Sequence, residues 1–158
     1  MSECVVAASV PDLHLMPGHA IRRLQQIAVA LFMQEMGEQG LTPVQFAVLQ
    51  ALDAQPGVDQ KTLAQIVSFD TSTIGAVIDR LEARQMLTRS LSREDRRVRL
   101  LHLTPFGLAQ LQQAMPAVLS TQERILQPLT EAERAQFAQL LMKLCDDSRL
   151  KTEVTPVF

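Results

Sequence analysis

The sequence predicts a mainly α-helical chain carrying one small β-hairpin. Three observations lead there. Apolar residues recur at helical spacing in six separate stretches between about residues 18 and 147. Two of those stretches open on a cap followed by proline, Thr42-Pro43 and Thr104-Pro105. Between Met86 and Leu103 the pattern changes to two short strand-like runs around a charged tip. The length of 158 residues fits one domain, or two small lobes sharing a core.

Residues 1–17 read as a tail, because Pro11, Pro17 and Gly18 interrupt any periodicity. A helix follows from about Gly18 to Met36. Ile21, Leu24, Ala28, Leu31 and Phe32 form its stripe, and Ile27 and Val29 widen it, which predicts burial on more than one side. Gly37 and Gly40 end it. Thr42, Pro43 and Gln45 then give a capping box for a second helix bearing Val44, Ala47, Val48, Ala51 and Leu52. Gln55-Pro56-Gly57 closes it. Asp59 caps a short third helix with Leu63, Ile66 and Val67 inward.

Three residues, Ser68-Phe69-Asp70, lead into a fourth helix, about Thr71 to Gln85. Ile74, Val77, Ile78 and Leu81 face inward at i, i+3, i+4 and i+7, so Ser72, Ala76 and Asp79 face out, flanked by Thr73, Gly75 and Arg80. The strand-like runs are Met86–Leu91 and Val98–Leu103. Ser92-Arg93-Glu94-Asp95-Arg96-Arg97 joins them, with Arg89 and Arg99 expected to face each other across the hairpin. Thr104-Pro105 starts a fifth helix, in which Pro116 predicts a kink. Thr130 and Glu133 form a capping box for the last helix, with Phe137, Leu140, Leu141 and Leu144 on its apolar face. Residues 148–158 read as a second tail.

The charge is informative when divided. The net charge is −2, yet residues 80–99 hold seven arginines against three acids. A mildly acidic chain thus carries a local anion-binding segment, or a solvated charged loop. No apolar run approaches the roughly 18 residues of a membrane span. The first residues lack the charged and apolar regions of a signal peptide. Cys4 and Cys145 have no CxxC or Cys/His company, so neither a disulfide framework nor a zinc site is expected. A cytoplasmic protein without cofactor, metal or membrane partner is the expectation. The histidines are scattered and no nucleophile–base pair or phosphate loop is visible, which argues against an enzyme.

A short helix, a tight turn and a second helix with a polar outer face form a helix-turn-helix candidate, and the basic hairpin after it makes a winged version. Such a helix fits the B-DNA major groove, about 12 Å wide. Small residues permit close approach, hydroxyls bond phosphates or base edges, and the helix N-terminus favours phosphate. Arginines at the hairpin tip reach a phosphate run or a narrow minor groove.

At this point the residues carry a family resemblance. Leu63-Ala64, Asp70-Thr71-Ser72-Thr73, Ile78 to Arg84, Leu87-Thr88-Arg89 and the run Asp95-Arg96-Arg97 through Leu103-Thr104-Pro105-Phe106-Gly107 resemble the MarR family of bacterial transcription regulators. The match is tight over residues 41–107 and looser over about 18–147. The resemblance implies a winged helix-turn-helix over 41–104 and a homodimer held by helices 18–36 and 105–147. It implies a pseudo-palindromic operator on double-stranded DNA, repression, and release by a small aromatic compound bound between the lobes. One departure stands out. Gln85 occupies the position where the family usually has glycine after the recognition helix. A left-handed cap there costs about 1 kcal/mol, unless the turn is built differently.

The candidate DNA contacts are Ser72, Thr73, Gly75, Ala76 and Arg80 on the helix, and Arg93, Asp95, Arg96 and Arg97 on the wing. Arg80 has two readings, a phosphate contact or a pair with Asp79 or Glu82. The resemblance implies that Asp95 orients Arg97, which enters the minor groove. Bidentate pairing makes that plausible, and a hairpin-stabilising ion pair is the plainer reading.

For an effector, His19, Arg22 and Arg23 are the available cationic or donor groups, with His14 more distant, and Phe46 and Leu49 an apolar wall. Surface or inter-subunit ion pairs are the competing reading of the arginines. The stretch Pro17 to Arg23 is similar to regulators of aromatic-acid catabolism, which implies a hydroxylated benzoate or pyridine carboxylate. Two alternatives stay open. One is a redox-responsive regulator of the same fold acting through Cys4 or Cys145. The other is a helical protein-interaction module that presents the arginine-rich hairpin to an acidic partner.

Overall fold

The computed structural model describes residues 12–37 and 40–146, and the statements below concern those residues. The expected tails fall mostly outside them. Residues 12–17 are less tail-like than expected, because Leu13–Leu15 make a turn of 3-10 helix and the first α-helix already begins at Pro17.

The elements follow the expected order with one addition. They are α1 (Pro17–Met36), α2 (Pro43–Ala54), β1 (Val58–Asp59), α3 (Gln60–Ile66), α4 (Thr71–Ala83), β2 (Leu87–Leu91), β3 (Arg99–Leu103), α5 (Pro105–Leu126) and α6 (Glu131–Cys145). Local chemistry sets their starts. The Thr42/Gln45 and Thr130/Glu133 capping boxes both form, and Asp59 and Thr104 cap α3 and α5. Pro116 lies inside α5 without ending it.

The hairpin has a third strand that the sequence reading lacked. β1 pairs antiparallel with β3, giving the sheet order β1-β3-β2. In β2 and β3, Leu87 lies opposite Leu103 and Leu91 opposite Arg99. Arg89 therefore faces Leu101, not Arg99, which corrects the expected pairing by two positions.

The core is built by α2, α3, α4 and the sheet, with Phe32 of α1 and Leu111, Ala114 and Val118 of α5 in the same cluster. Val48, Leu49, Leu52, Leu63, Ile74, Ile78, Leu81 and Leu87 have no exposed surface. Each such burial is worth roughly 1.5–3 kcal/mol. Ile66 was expected inward but is 40% exposed, and Ala64 takes the inner position instead.

Helices α3 and α4 end alike. Ser68 and Gln85 adopt left-handed φ values of 57° and 59°. After α4, the Met86 N–H donates to the Leu81 carbonyl and the Gln85 N–H to that of Glu82. After α3, Phe69 donates to Ala64 and Ser68 to Gln65. Both ends are Schellman motifs made without glycine. Gln85 thus keeps the turn a glycine would make and carries the strain, so the turn is not built another way.

α1 packs beside α5, tied by Arg124 Nη1 to Glu35 Oε1 at 2.6 Å and Arg124 Nη2 to Gln34 Oε1 at 3.2 Å. Within one chain α1 is not buried on several sides as expected. Only Phe32 is buried, while Ile21, Ile27, Val29 and Met33 are exposed. α6 buries no residue at all, and Leu140, Leu141, Met142 and Leu144 lie open.

Candidate nucleic-acid interface and adjoining cleft

Asp70 organises the start of α4. Its Oδ1 accepts from the Thr73 N–H at 2.8 Å and the Ser72 hydroxyl at 2.5 Å, and its Oδ2 accepts from the Thr73 hydroxyl at 2.5 Å. These bonds, the one from Ser72 foremost, hold the Asp70 carboxyl far below the usual carboxylate range. In this arrangement the hydroxyl protons of Ser72 and Thr73 point back to Asp70. With those protons engaged, the hydroxyl oxygens are left to accept, which suits a base amino group better than donation to a phosphate.

Ser72, Ala76, Asp79 and Arg80 are exposed, and Thr73 and Gly75 half-buried. Gly75 has a packing reason for lacking a β-carbon. An added Cβ would stand 3.0 Å from Gln60 Nε2, which itself donates to the Thr71 carbonyl at 3.0 Å. The glycine lets α3 close onto α4.

Asp79 and Glu82 do not pair with Arg80. Arg89 of β2 takes both, through Nη2 to Asp79 Oδ1 at 2.5 Å and Nη1 to Glu82 Oε2. Sequence reasoning missed this cluster because its members lie seven and ten residues apart across a turn. The cap role of Asp70 was also missed, although Asp70 with Thr73 three residues on has the N-cap spacing.

At the wing tip, Asp95 Oδ1 accepts from the Arg97 backbone N–H at 2.9 Å, and the Asp95 carbonyl accepts from the Val98 N–H at 2.9 Å. The carboxylate shapes the turn and does not grip the Arg97 guanidinium, which corrects the expected bidentate pair. Among the described residues, Arg80, Arg93, Arg96, Arg97 and Arg99 make no ion pair. All five are exposed. The hairpin, with Arg93, Arg96, Arg97 and Arg99 against Glu94 and Asp95, therefore offers a net cationic surface.

A cleft of about 270 Å³ lies between α1, α2 and α5, walled by Phe32, Phe46, Val118 and Ile125 with Gln25, Thr121 and Gln122 among its polar groups. The Phe32 and Phe46 rings meet edge-on, with centroids 6.2 Å apart. Leu49 has no exposed surface, so of the two expected wall residues only Phe46 reaches the cleft. Arg22 stands three residues before Gln25 and shares its side of α1, whereas Arg23 falls on the opposite side. His19 is half-buried and also stands away from the cleft-lining face. Among the described residues no cluster of three or more His, Cys, Asp or Glu is placed to hold a metal ion. Cys145 is a free, exposed thiol, while Cys4 and the His14 side chain lie outside the described residues. No helix among the described residues is long and apolar enough to cross a membrane.

A tight α3–α4 corner with a capped, polar outer helix, followed by a hairpin whose tip arginines make no ion pair among the described residues, defines a winged helix-turn-helix DNA-binding protein. Likeness to known proteins specifies the class further. The MarR family model matches residues 41–98. The HTH-type transcriptional repressor NicR of Pseudomonas putida is 30% identical over 152 residues, covering 92% of this chain and 96% of NicR. The structure of the PcaV transcriptional regulator from Streptomyces coelicolor with its natural ligand superposes with a TM-score of 0.80 at 36% identity, covering 89% of this chain and 99% of PcaV. Bordetella bronchiseptica BpsR, whose DNA binding is regulated by 6-hydroxynicotinic acid, gives 0.78 at 36% identity, covering 82% of this chain and 98% of BpsR. The chain belongs to the MarR family, whose members regulate transcription and are not enzymes.

Proposed function

We propose that this protein is a repressor that binds a pseudo-palindromic operator as a homodimer and leaves it when a small aromatic carboxylate binds. The observation that carries the DNA half is the joint surface of α4 and the wing. Ser72, Thr73, Ala76 and Arg80 would meet the major groove, with Gly75 keeping the helix close against its scaffold. Arg93, Arg96 and Arg97 would meet the backbone or minor groove, with Asp95 fixing the turn that presents them. Two copies related by a two-fold axis set half-sites about 34–36 Å apart.

Two features support the dimer. α6 buries nothing in one chain, and α1 leaves Ile21, Ile27, Val29 and Met33 open. Apolar surface of that extent at both ends of the chain fits an interface between copies (regions 18–36 and 105–147).

The effector half rests on the cleft. At about 270 Å³ it falls just below the roughly 300–1,000 Å³ range of ligand sites, which suits nothing larger than a single ring. Phe46 with Phe32 would give the ring an aromatic wall, and Arg22, one turn before the cleft-lining Gln25 on α1, would reach over as carboxylate partner. His19 and Arg23 would act only from another side, as surface or inter-subunit groups. A hydroxybenzoate or hydroxypyridine carboxylate is the proposed class, in keeping with the ligand that regulates BpsR. Titrating operator-bound protein with a panel of such acids tests it. One acid should dissociate the complex, and indifference to every acid removes the cleft from the mechanism.

A further inference from the structure

The face of α4 that would meet DNA carries a carboxylate where a polyanion is to bind. Asp79 lies seven residues after Ser72 and three after Ala76, on the same outward side, and 69% of its side chain is exposed. Glu82, three residues further, is 39% exposed. Two negative charges there oppose phosphate binding. A sequence that served DNA affinity alone would place neutral or basic residues at both positions. Both carboxylates converge on one guanidinium instead. Arg89 stands at the centre of β2, and only 17% of its side chain is exposed. Burial disfavours its charge, and Asp79 and Glu82 more than offset that. Two residues on one helix holding two nitrogens of a single planar group fix that group's orientation as well as its position.

We propose that Arg89, Asp79 and Glu82 form a latch that sets the angle of the wing relative to the recognition helix, making Arg89 a positioning residue for specific operator binding. The inference rests on the DNA-binding reading above. The geometry supports it in three ways. The latch spans the only covalent link between the two DNA-facing elements, the turn Arg84-Gln85-Met86. That turn holds a non-glycine residue in left-handed conformation, so it is a strained joint. Beyond the latch, β2 runs only two residues, Ser90 and Leu91, before the tip that carries Arg93, Arg96 and Arg97. A small rotation at Arg89 is therefore passed directly to the wing arginines.

The test uses the sign of an effect. Asp79→Asn with Glu82→Gln removes two negative charges, so electrostatics alone should raise affinity for any duplex. A latch gives the opposite result for the operator. The double variant should bind its operator at least about fivefold more weakly, while its affinity for random duplex is equal or higher. The loss should also depend on the wing. In an Arg97→Ala background the same pair of substitutions should cost less than about twofold, because the contact they position is already gone. Arg89→Ala should reproduce the operator loss. Should that variant fail to fold, the Asp79/Glu82 pair carries the test by itself. Unchanged or tighter operator binding by the double variant overturns the latch. So does a loss that persists in full without Arg97, which would mark the cluster as general scaffolding. Wild-type protein that does not prefer its operator to random DNA overturns the DNA-binding reading and the latch with it, whereas wild-type preference with an indifferent variant overturns the latch alone.

Discussion

Gly107, in the first turn of α5, is pressed against the backbone carbonyl of Met86 at the entry to the wing. A β-carbon built on Gly107 would lie 1.9 Å from the Met86 oxygen and 2.9 Å from Leu103 Cδ1. The same oxygen accepts from the Thr104 N–H at 3.1 Å, and the Thr104 hydroxyl donates to the Gln85 carbonyl at 2.7 Å. The start of α5, the end of α4 and the root of the wing are thus locked at one point. Gly107→Ala should destabilise the fold by an amount at or above the upper end of the about 1–3 kcal/mol typical of overpacking, because backbone must move to admit the methyl. Thermal melting of the variant checks this, and a melting temperature equal to wild type would contradict the packing.

Gln85→Gly should stabilise the protein. A non-glycine residue in the left-handed region costs about 1–2 kcal/mol. Glycine gives back about 0.4–1 kcal/mol through the freer unfolded chain. The net gain therefore lies between about 0 and 1.6 kcal/mol, a rise of up to roughly 3–6 °C in Tm. A lower Tm would mean that the Gln85 side chain contributes something beyond its backbone.

Arg97→Ala should weaken operator binding by about 1–3 kcal/mol and reduce the salt dependence of the binding constant by about one unit of slope. Asp95→Ala should cost affinity too, through a loosened turn, since Asp95 holds the Arg97 backbone N–H. Anisotropy titrations at several salt concentrations measure both. Unchanged affinity in the Arg97 variant removes the wing tip from recognition.

Stability should fall in acid. Asp70, Asp59 and Glu133 all cap helices and are all held below the ordinary carboxylate values. A carboxylate depressed in the folded state stabilises it fully above its unfolded value, about 4, and loses that contribution as pH falls through the folded value. Asp70→Asn keeps one acceptor oxygen and cannot titrate. Its Tm should lie below wild type at pH 7, and the gap should narrow as pH falls from about 4 toward 2. A gap constant with pH would mean that the charge on Asp70 plays no part.

Arg22→Ala should leave operator affinity within about twofold of wild type. It should raise the effector concentration needed for release by about tenfold, the loss of one charge-assisted hydrogen bond near 1.5 kcal/mol. Dissociation of the dimer in this variant would place Arg22 in the interface instead of the cleft.

The parts legible in the sequence were those written locally. Thr42, Asp59, Thr104 and Thr130 each announce a helix within four residues, and the alternation around Arg93 to Arg97 announces a hairpin. What escaped depends on residues distant in the chain. β1 is two residues long and exists only because Val58 finds Leu101. Arg89 reads as one more arginine in a basic run until the turn at Gln85 brings it over Asp79 and Glu82. Asp95 and Arg97 are close enough to suggest a side-chain pair, yet a tight turn gives the carboxylate a nearer donor in the backbone. Leu49 shows the opposite limit. Its apolar character fits either a pocket wall or a core, and only the packing of α2 decides for the core.

The most direct measurement is anisotropy of a fluorescent duplex taken from the DNA upstream of the protein's own gene, with random duplex as competitor, followed by a panel of benzoates and pyridine carboxylates. Competitor-resistant binding, lost on adding one of these acids, is the predicted result. Binding no tighter than to random duplex, in any upstream fragment and in a selection from random sequence, would contradict the assignment of α4 and the wing as an operator-reading surface.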